Sequence, residues 1–193
     1  MSQVSESKNI NVQCRIVWVG GDLFKGKVIV FEGPDGSGKT TMANAVYTAL
    51  EKFPIKKEIV HFATHFKKSK PSALKRLITR NCSILKVYWN IFLGKLTITD
   101  RYIYLTFRKH HQIFGKILKF LAPKPNIVFV MKVSPEEIRK RKIGQRDLLS
   151  NEMIKELYKV YDSIPNKIGI DTKKPIKENL EFVVNSVLRK TLI

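Results

Sequence analysis

The segment Gly33-Pro34-Asp35-Gly36-Ser37-Gly38-Lys39-Thr40 fits the pattern G-x-x-x-x-G-K-[ST]. Glycines let the backbone curl until several N–H groups point at one anion, and a following helix adds the positive end of its dipole. A lysine at this spacing reaches the β- and γ-phosphates of a nucleotide, and the next hydroxyl can ligate Mg2+. The flanks suit such a loop. Lys27 to Glu32 (KVIVFE) reads as a buried strand, and Met42, Val46, Leu50 and Phe53 recur at helical spacing after Thr40. Gly33, Asp35, Gly36, Ser37, Gly38, Lys39, Thr40 and Thr41 are therefore expected to bind ATP with Mg2+. The loop alone leaves open whether the γ-phosphate goes to water or to another acceptor.

A second constellation is Thr99-Asp100-Arg101-Tyr102, at the end of the apolar run Leu96 to Thr99. A carboxylate delivered by a strand end beside a phosphate loop can hold Mg2+ through water or orient an acceptor. A guanidinium there offers a planar fork that matches a phosphate. A third is the basic stretch Arg139-Lys140-Arg141-Lys142 to Arg146-Asp147. The histidines carry less. His61 and His65 flank an apolar run and read as structural or exposed, while the neighbours His110 and His111 point to different faces of a helix and cannot easily share a metal. Tyr88, Trp89 and Phe92 read as core or as the wall of a base pocket.

The elements that must position these residues follow from periodicity and breakers. Strands are expected at Lys27 to Glu32, Lys57 to Ala63, Leu96 to Thr99, Asn126 to Val133 and Lys167 to Asp171. Helices are expected at Thr40 to Phe53, Pro71 to Gly94, Ile103 to Leu121, about Ser150 to Asp162 and Lys177 to Arg189. A further helix starts at Ser134, which can cap it, with Pro135 at the first position and Glu137 completing a capping box. Strands alternating with helices imply an α/β fold of three layers, a five-stranded parallel sheet with helices on both faces. Residues 1–26 read as an N-terminal extension and 27–193 as one P-loop domain, with a lid around 139–150.

The run Phe31-Glu32-Gly33-Pro34-Asp35-Gly36-Ser37-Gly38-Lys39-Thr40-Thr41 resembles the loop of the thymidylate kinase family, FEG-x-[DE]-G-x-GKTT. Thr99-Asp100-Arg101-Tyr102 is similar to the family's DR[YFH] signature, and the basic stretch at 139–147 falls where the family has its lid. The resemblance runs from about Lys27 to Arg189 and implies a nucleoside monophosphate kinase, with dTMP as the best single acceptor. It implies that Asp35 meets the acceptor's sugar hydroxyl, Arg101 grips its phosphate and Tyr102 packs against its sugar or base. It also implies that Thr40 and Asp100 attend Mg2+. Some family members carry an arginine inside the loop where this chain has Gly36. Others supply that charge from the lid, which makes Arg141 or Arg146 the catalytic candidate beside Lys39, Asp100 and Arg101. The family's frequent dimers imply a possible homodimer involving the Pro71 to Gly94 helix.

The departures from the family pattern fall in the acceptor site. The TREPGGT-like segment reads His61-Phe62-Ala63-Thr64-His65-Phe66-Lys67-Lys68, without arginine or glycine. The helix before the DRY strand reads Ile84-Leu85-Lys86-Val87-Tyr88-Trp89-Asn90, without the aspartate–arginine pair. Lys75, Arg76 or Arg80 could replace a missing phosphate contact. Other acceptors therefore stay open: a different nucleotide, a nucleoside, or a nucleic-acid 5′ end. Arg101 favours a phosphorylated one.

Composition bounds the rest. The 193 residues suit one domain with a proper core. Two cysteines, Cys14 and Cys82, lack metal-ligand spacing and point to a reduced protein. No run is long and apolar enough for a membrane span or a signal-peptide core, so the expected location is cytoplasmic. Lys+Arg 36 against Asp+Glu 16 gives a net charge of +20. That surplus attracts polyanions, and it keeps an ATP-switched nucleic-acid-binding protein as a rival reading. No helix-turn-helix, RNA-binding sheet motif or zinc finger accompanies it. The other explanation is a lysine-rich solvated surface.

Overall fold

The computed structural model describes residues 26–62, 73–104, 120–141 and 150–191. Five strands form one parallel sheet: β1 (Lys27–Glu32), β2 (Lys57–His61), β3 (Leu96–Asp100), β4 (Ile127–Lys132) and β5 (Lys167–Asp171). Their order is β2-β3-β1-β4-β5. Five α-helices accompany them among the described residues: α1 (Lys39–Ala49), α2 (Ala73–Phe92), α3 (Pro135–Arg141), α4 (Asn151–Asp162) and α5 (Ile176–Thr191).

The sheet is covered on both sides, which explains why its central strands are near-continuous apolar runs. Val28, Val30, Val128 and Val130 face Ile84 and Val87 of α2 and Leu157 and Tyr161 of α4. The intervening residues Ile29, Phe31, Ile127, Phe129 and Met131 face Met42 and Val46 of α1 and Val183 and Val187 of α5. Phe31 and Phe129 stack at 5.3 Å between ring centroids. Parallel strands need register marks that no hairpin supplies. Asn126 provides one, since its side-chain oxygen accepts from the Val28 N–H at 2.8 Å while its own N–H donates to the Val28 carbonyl at 2.8 Å.

Element ends differ from the sequence reading in instructive ways. The first helix gives way to a tight 3-10 turn at Leu50–Lys52. Phe53 is already extended, at φ −112° and ψ 144°, because Pro54 bars the helical region to the residue before it. At the start of α3 the Ser134 hydroxyl accepts from the Glu137 N–H at 3.3 Å, as expected of a cap. The Glu137 carboxylate instead takes Arg141 Nε at 3.0 Å, so the reciprocal half of the capping box is not made by Glu137. Strand β2 closes at His61, short of the expected Ala63. The body of the helix expected from Ile103 to Leu121 lies outside the described residues, as do residues 1–25 of the expected extension and 142–149 of the expected lid. Among the described residues no helix is long and apolar enough to cross a membrane.

Candidate active site

Because all the strands run one way, their C-terminal ends share one edge of the sheet. Glu32, His61 and Asp100 end adjacent strands there, with Asp100 in register with Phe31 on one side and His61 on the other. The loop leaving β1 begins with Gly33 at φ +149°. A Cβ there would stand 2.7 Å from Ser37 Oγ and 3.0 Å from the Met131 carbonyl oxygen, so only glycine fits. The loop closes with the Ser37 N–H donating to the Pro34 carbonyl at 3.1 Å. Gly38, at φ 89°, begins α1 with no side-chain cap and no acidic residue in the first turn. The N–H groups of that turn and their dipole are thus left for an anion.

Lys39 is buried, its ammonium donating to the Pro34 carbonyl at 2.8 Å and lying 4.0 Å from Asp35 Oδ1. The Thr40 hydroxyl donates to Asp100 Oδ2 at 2.6 Å, joining the first turn of α1 to the end of β3. The other oxygen of the buried Asp100 has no hydrogen-bond partner. A hydroxyl and a carboxylate with a spare oxygen, set beside a phosphate loop, are the hard oxygen ligands that Mg2+ prefers, so the donor set fits that ion. Arg101 pairs through its guanidinium with Asp35 of the loop. Asp35 therefore lies between two cations, Lys39 and Arg101.

The structure brings together Gly33 to Thr41, Asp100 and Arg101. Tyr102, expected against a sugar or base, is buried; its ring meets Phe62 edge-on at 4.9 Å and its hydroxyl donates to the Pro123 carbonyl at 2.5 Å. Burial pushes that hydroxyl's pKa up. Arg141, at the end of α3, is engaged by Glu137 and by the Thr172 carbonyl, at 3.0 Å each. Arg146 lies outside the described residues.

Two further residues stand at this edge, His61, which the sequence marked only as structural or exposed, and Glu32, to which it gave no role. His61 Nδ1 stands 3.3 Å from Asp100 Oδ2, and its ring is half exposed at the mouth of the site. Glu32 is 0% exposed, and one oxygen accepts from the Tyr102 N–H at 2.7 Å while the other has no partner. Burial pushes its pKa up to about 7, against the pull of the Tyr102 N–H, Arg101 and Lys39. The signals for Glu32 were a carboxylate ending an otherwise apolar strand and its place in the Phe31-Glu32-Gly33 run that leads into the loop.

A sheet of order β2-β3-β1-β4-β5 with a glycine-rich loop between β1 and α1 defines a P-loop nucleotide-binding fold. No protein-family profile matches the chain. A curated relative, thymidylate kinase of Malacoplasma penetrans (strain HF-2), is 25% identical over 210 residues, covering 87% of this chain and 98% of that protein. Among solved structures, thymidylate kinase from Candida albicans matches with a TM-score of 0.63 and 19% identity, covering 87% of this chain and 93% of that one. That second match speaks to the fold. The chain is thus similar to thymidylate kinases over most of its length, and it is an ATP-dependent phosphotransferase of the nucleoside monophosphate kinase type.

Proposed function

We propose that this protein transfers the γ-phosphate of Mg-ATP to dTMP, giving dTDP and ADP. The observation that carries the reading is the contact between Thr40 and Asp100, a hydroxyl and a carboxylate suited to Mg2+ whose chain neighbours are Lys39 and Arg101. Gly33 to Thr41 would wrap the donor phosphates with backbone N–H groups, and Lys39 would reach the transferring group. Thr40 and Asp100 would hold Mg2+, which when bound neutralises charge on the β- and γ-phosphates. Arg101 would leave Asp35 for the acceptor phosphate, and Asp35 would then be free to receive the sugar hydroxyl. Arg141 and Arg146 stand as lid residues that bring further positive charge. Donor and acceptor phosphates are already ionised, so no strong general base is needed; positioning and charge neutralisation supply the catalysis.

The thymidylate kinase name of the curated relative supports dTMP as acceptor. The test is ADP release from Mg-ATP with dTMP, dUMP, UMP, CMP, AMP or GMP, thymidine as the unphosphorylated control and Lys39→Ala as the blank. Turnover with dTMP alone supports the proposal. Turnover with another monophosphate moves the acceptor assignment. ATP binding without turnover on any of them refutes it and directs attention to nucleic-acid 5′ ends. The exposed Leu85, Trp89 and Phe92 on α2 support a homodimer through that helix. A monomer at micromolar concentration in sedimentation equilibrium would refute that part.

A further inference from the structure

We infer that Glu32 is a positioning residue for the acceptor side of the site, its side chain clamping the Tyr102 N–H so that Arg101 is held in a left-handed turn facing the phosphate loop. The inference rests on the monophosphate kinase reading and adds a residue to it.

Arg101 has φ 68°, a region that residues other than glycine rarely enter without outside support. The support comes from two consecutive residues of β1. The Phe31 carbonyl accepts from the Arg101 N–H at 2.9 Å, and the Glu32 carboxylate accepts from the next N–H, that of Tyr102, at 2.7 Å. Beyond the turn, Tyr102 is fixed again through its hydroxyl on Pro123. The clamped residue is thus the one whose guanidinium reaches Asp35.

The strand ends at Glu32, and the second N–H of the β3 turn takes its acceptor from that residue's side chain rather than from the backbone. Glu32 reaches it from a fully buried position, where an apolar residue would otherwise pack more cheaply. The charged groups around it are Arg101 and Asp100 at the end of β3 and Lys39 of α1, with the phenols of Tyr104 and of Tyr161 in α4 nearby.

The test compares wild type, Glu32→Ala and Glu32→Gln as full-length chains. Steady-state kinetics would give KM for dTMP and for ATP, and NMR hydrogen exchange would follow the Tyr102 amide. Alanine should raise KM for dTMP at least tenfold, change KM for ATP less than threefold, and speed Tyr102 exchange at least tenfold. Glutamine keeps a carbonyl acceptor and should bring all three back to within threefold of wild type. If the alanine chain fails to fold, Glu32→Met fills the volume without an acceptor and takes its place. Equal rises in both KM values, or an unchanged KM for dTMP, would overturn the inference. A wild type inactive on every monophosphate would sink the kinase reading. Exchange would then decide the clamp: acceleration rescued by glutamine upholds it, and unchanged exchange overturns it.

Discussion

Glutamine at position 32 is expected to stabilise the protein progressively as the pH rises from 4.5 to 8. The folded Glu32 carboxyl has a pKa near 7, raised from 4.5 chiefly by its burial. Between those two values the folded chain keeps the proton while the unfolded chain releases it. Stability then falls with rising pH, because fewer protons are bound on the unfolded side. The effect is absent below the unfolded pKa and complete above the folded one. A shift of that size at about 1.4 kcal/mol per unit gives a loss of about 3 kcal/mol by pH 8. Glutamine cannot ionise, so its chain escapes the loss. It also places an N–H2 where Glu32 Oε2 has no partner, at a cost of about 1–3 kcal/mol that does not vary with pH. The quantity to read is therefore the change in the difference between variant and wild type, which removes that offset. Urea denaturation followed by circular dichroism at pH 4.5, 5.5, 6.5 and 8 would measure it. With a urea slope of about 2 kcal/mol/M, the midpoint difference should grow by roughly 1.5 M across the series. A difference constant with pH would show that Glu32 ionises freely in the folded chain and refute the reasoning.

Other outcomes follow from the same geometry. Phe129→Ala, which removes a fully buried ring stacked on Phe31, should cost about 3–5 kcal/mol in urea denaturation. Ser150→Ala should cost about 1 kcal/mol, since the Ser150 hydroxyl caps α4 by accepting from the Met153 N–H at 3.2 Å. Asp100→Asn should weaken Mg2+ by about 10- to 100-fold, read from the Mg2+ dependence of turnover; an unchanged dependence would remove Asp100 from the metal site. Gly33→Ala should abolish ATP binding in calorimetry, because its Cβ would drive against Ser37 and the Met131 carbonyl.

The order of elements was readable because it rests on local signals. Apolar runs such as KVIVFE and NIVFVMKV, each bounded by glycine, proline or asparagine, mark strands whatever packs on them. The phosphate loop was readable because its residues are contiguous. What the sequence concealed is what depends on neighbours across the sheet. The contact between Thr40 and Asp100 joins residues 60 positions apart, and that between Glu32 and Tyr102 spans 70. Tyr102 illustrates the difference. Its place in a DRY signature suggested a contact with substrate, while only the structure shows its ring edge-on against Phe62 and its hydroxyl on the Pro123 carbonyl. Arg141 was read from its charge and position, but a side chain at a helix end takes the partners within reach, here Glu137 and Thr172. Glu137 itself was counted toward the cap until that arginine claimed it.

The strand order also dictates how the chain must assemble. The central strand β1 has no neighbour close in sequence: Val28 meets Asn126 across 98 positions, and even the β2–β3 contact between His61 and Asp100 spans 39. Every rung of the sheet therefore follows closure of a long loop, whose entropy is spent before any pairing repays it. Chains caught with some strands unpaired expose edges that could recruit one another. The +20 net charge opposes such encounters between identical molecules at low salt. Added salt screens that repulsion while leaving the apolar edges as adhesive as before, so refolding yield should drop with ionic strength even where the finished fold is indifferent to it.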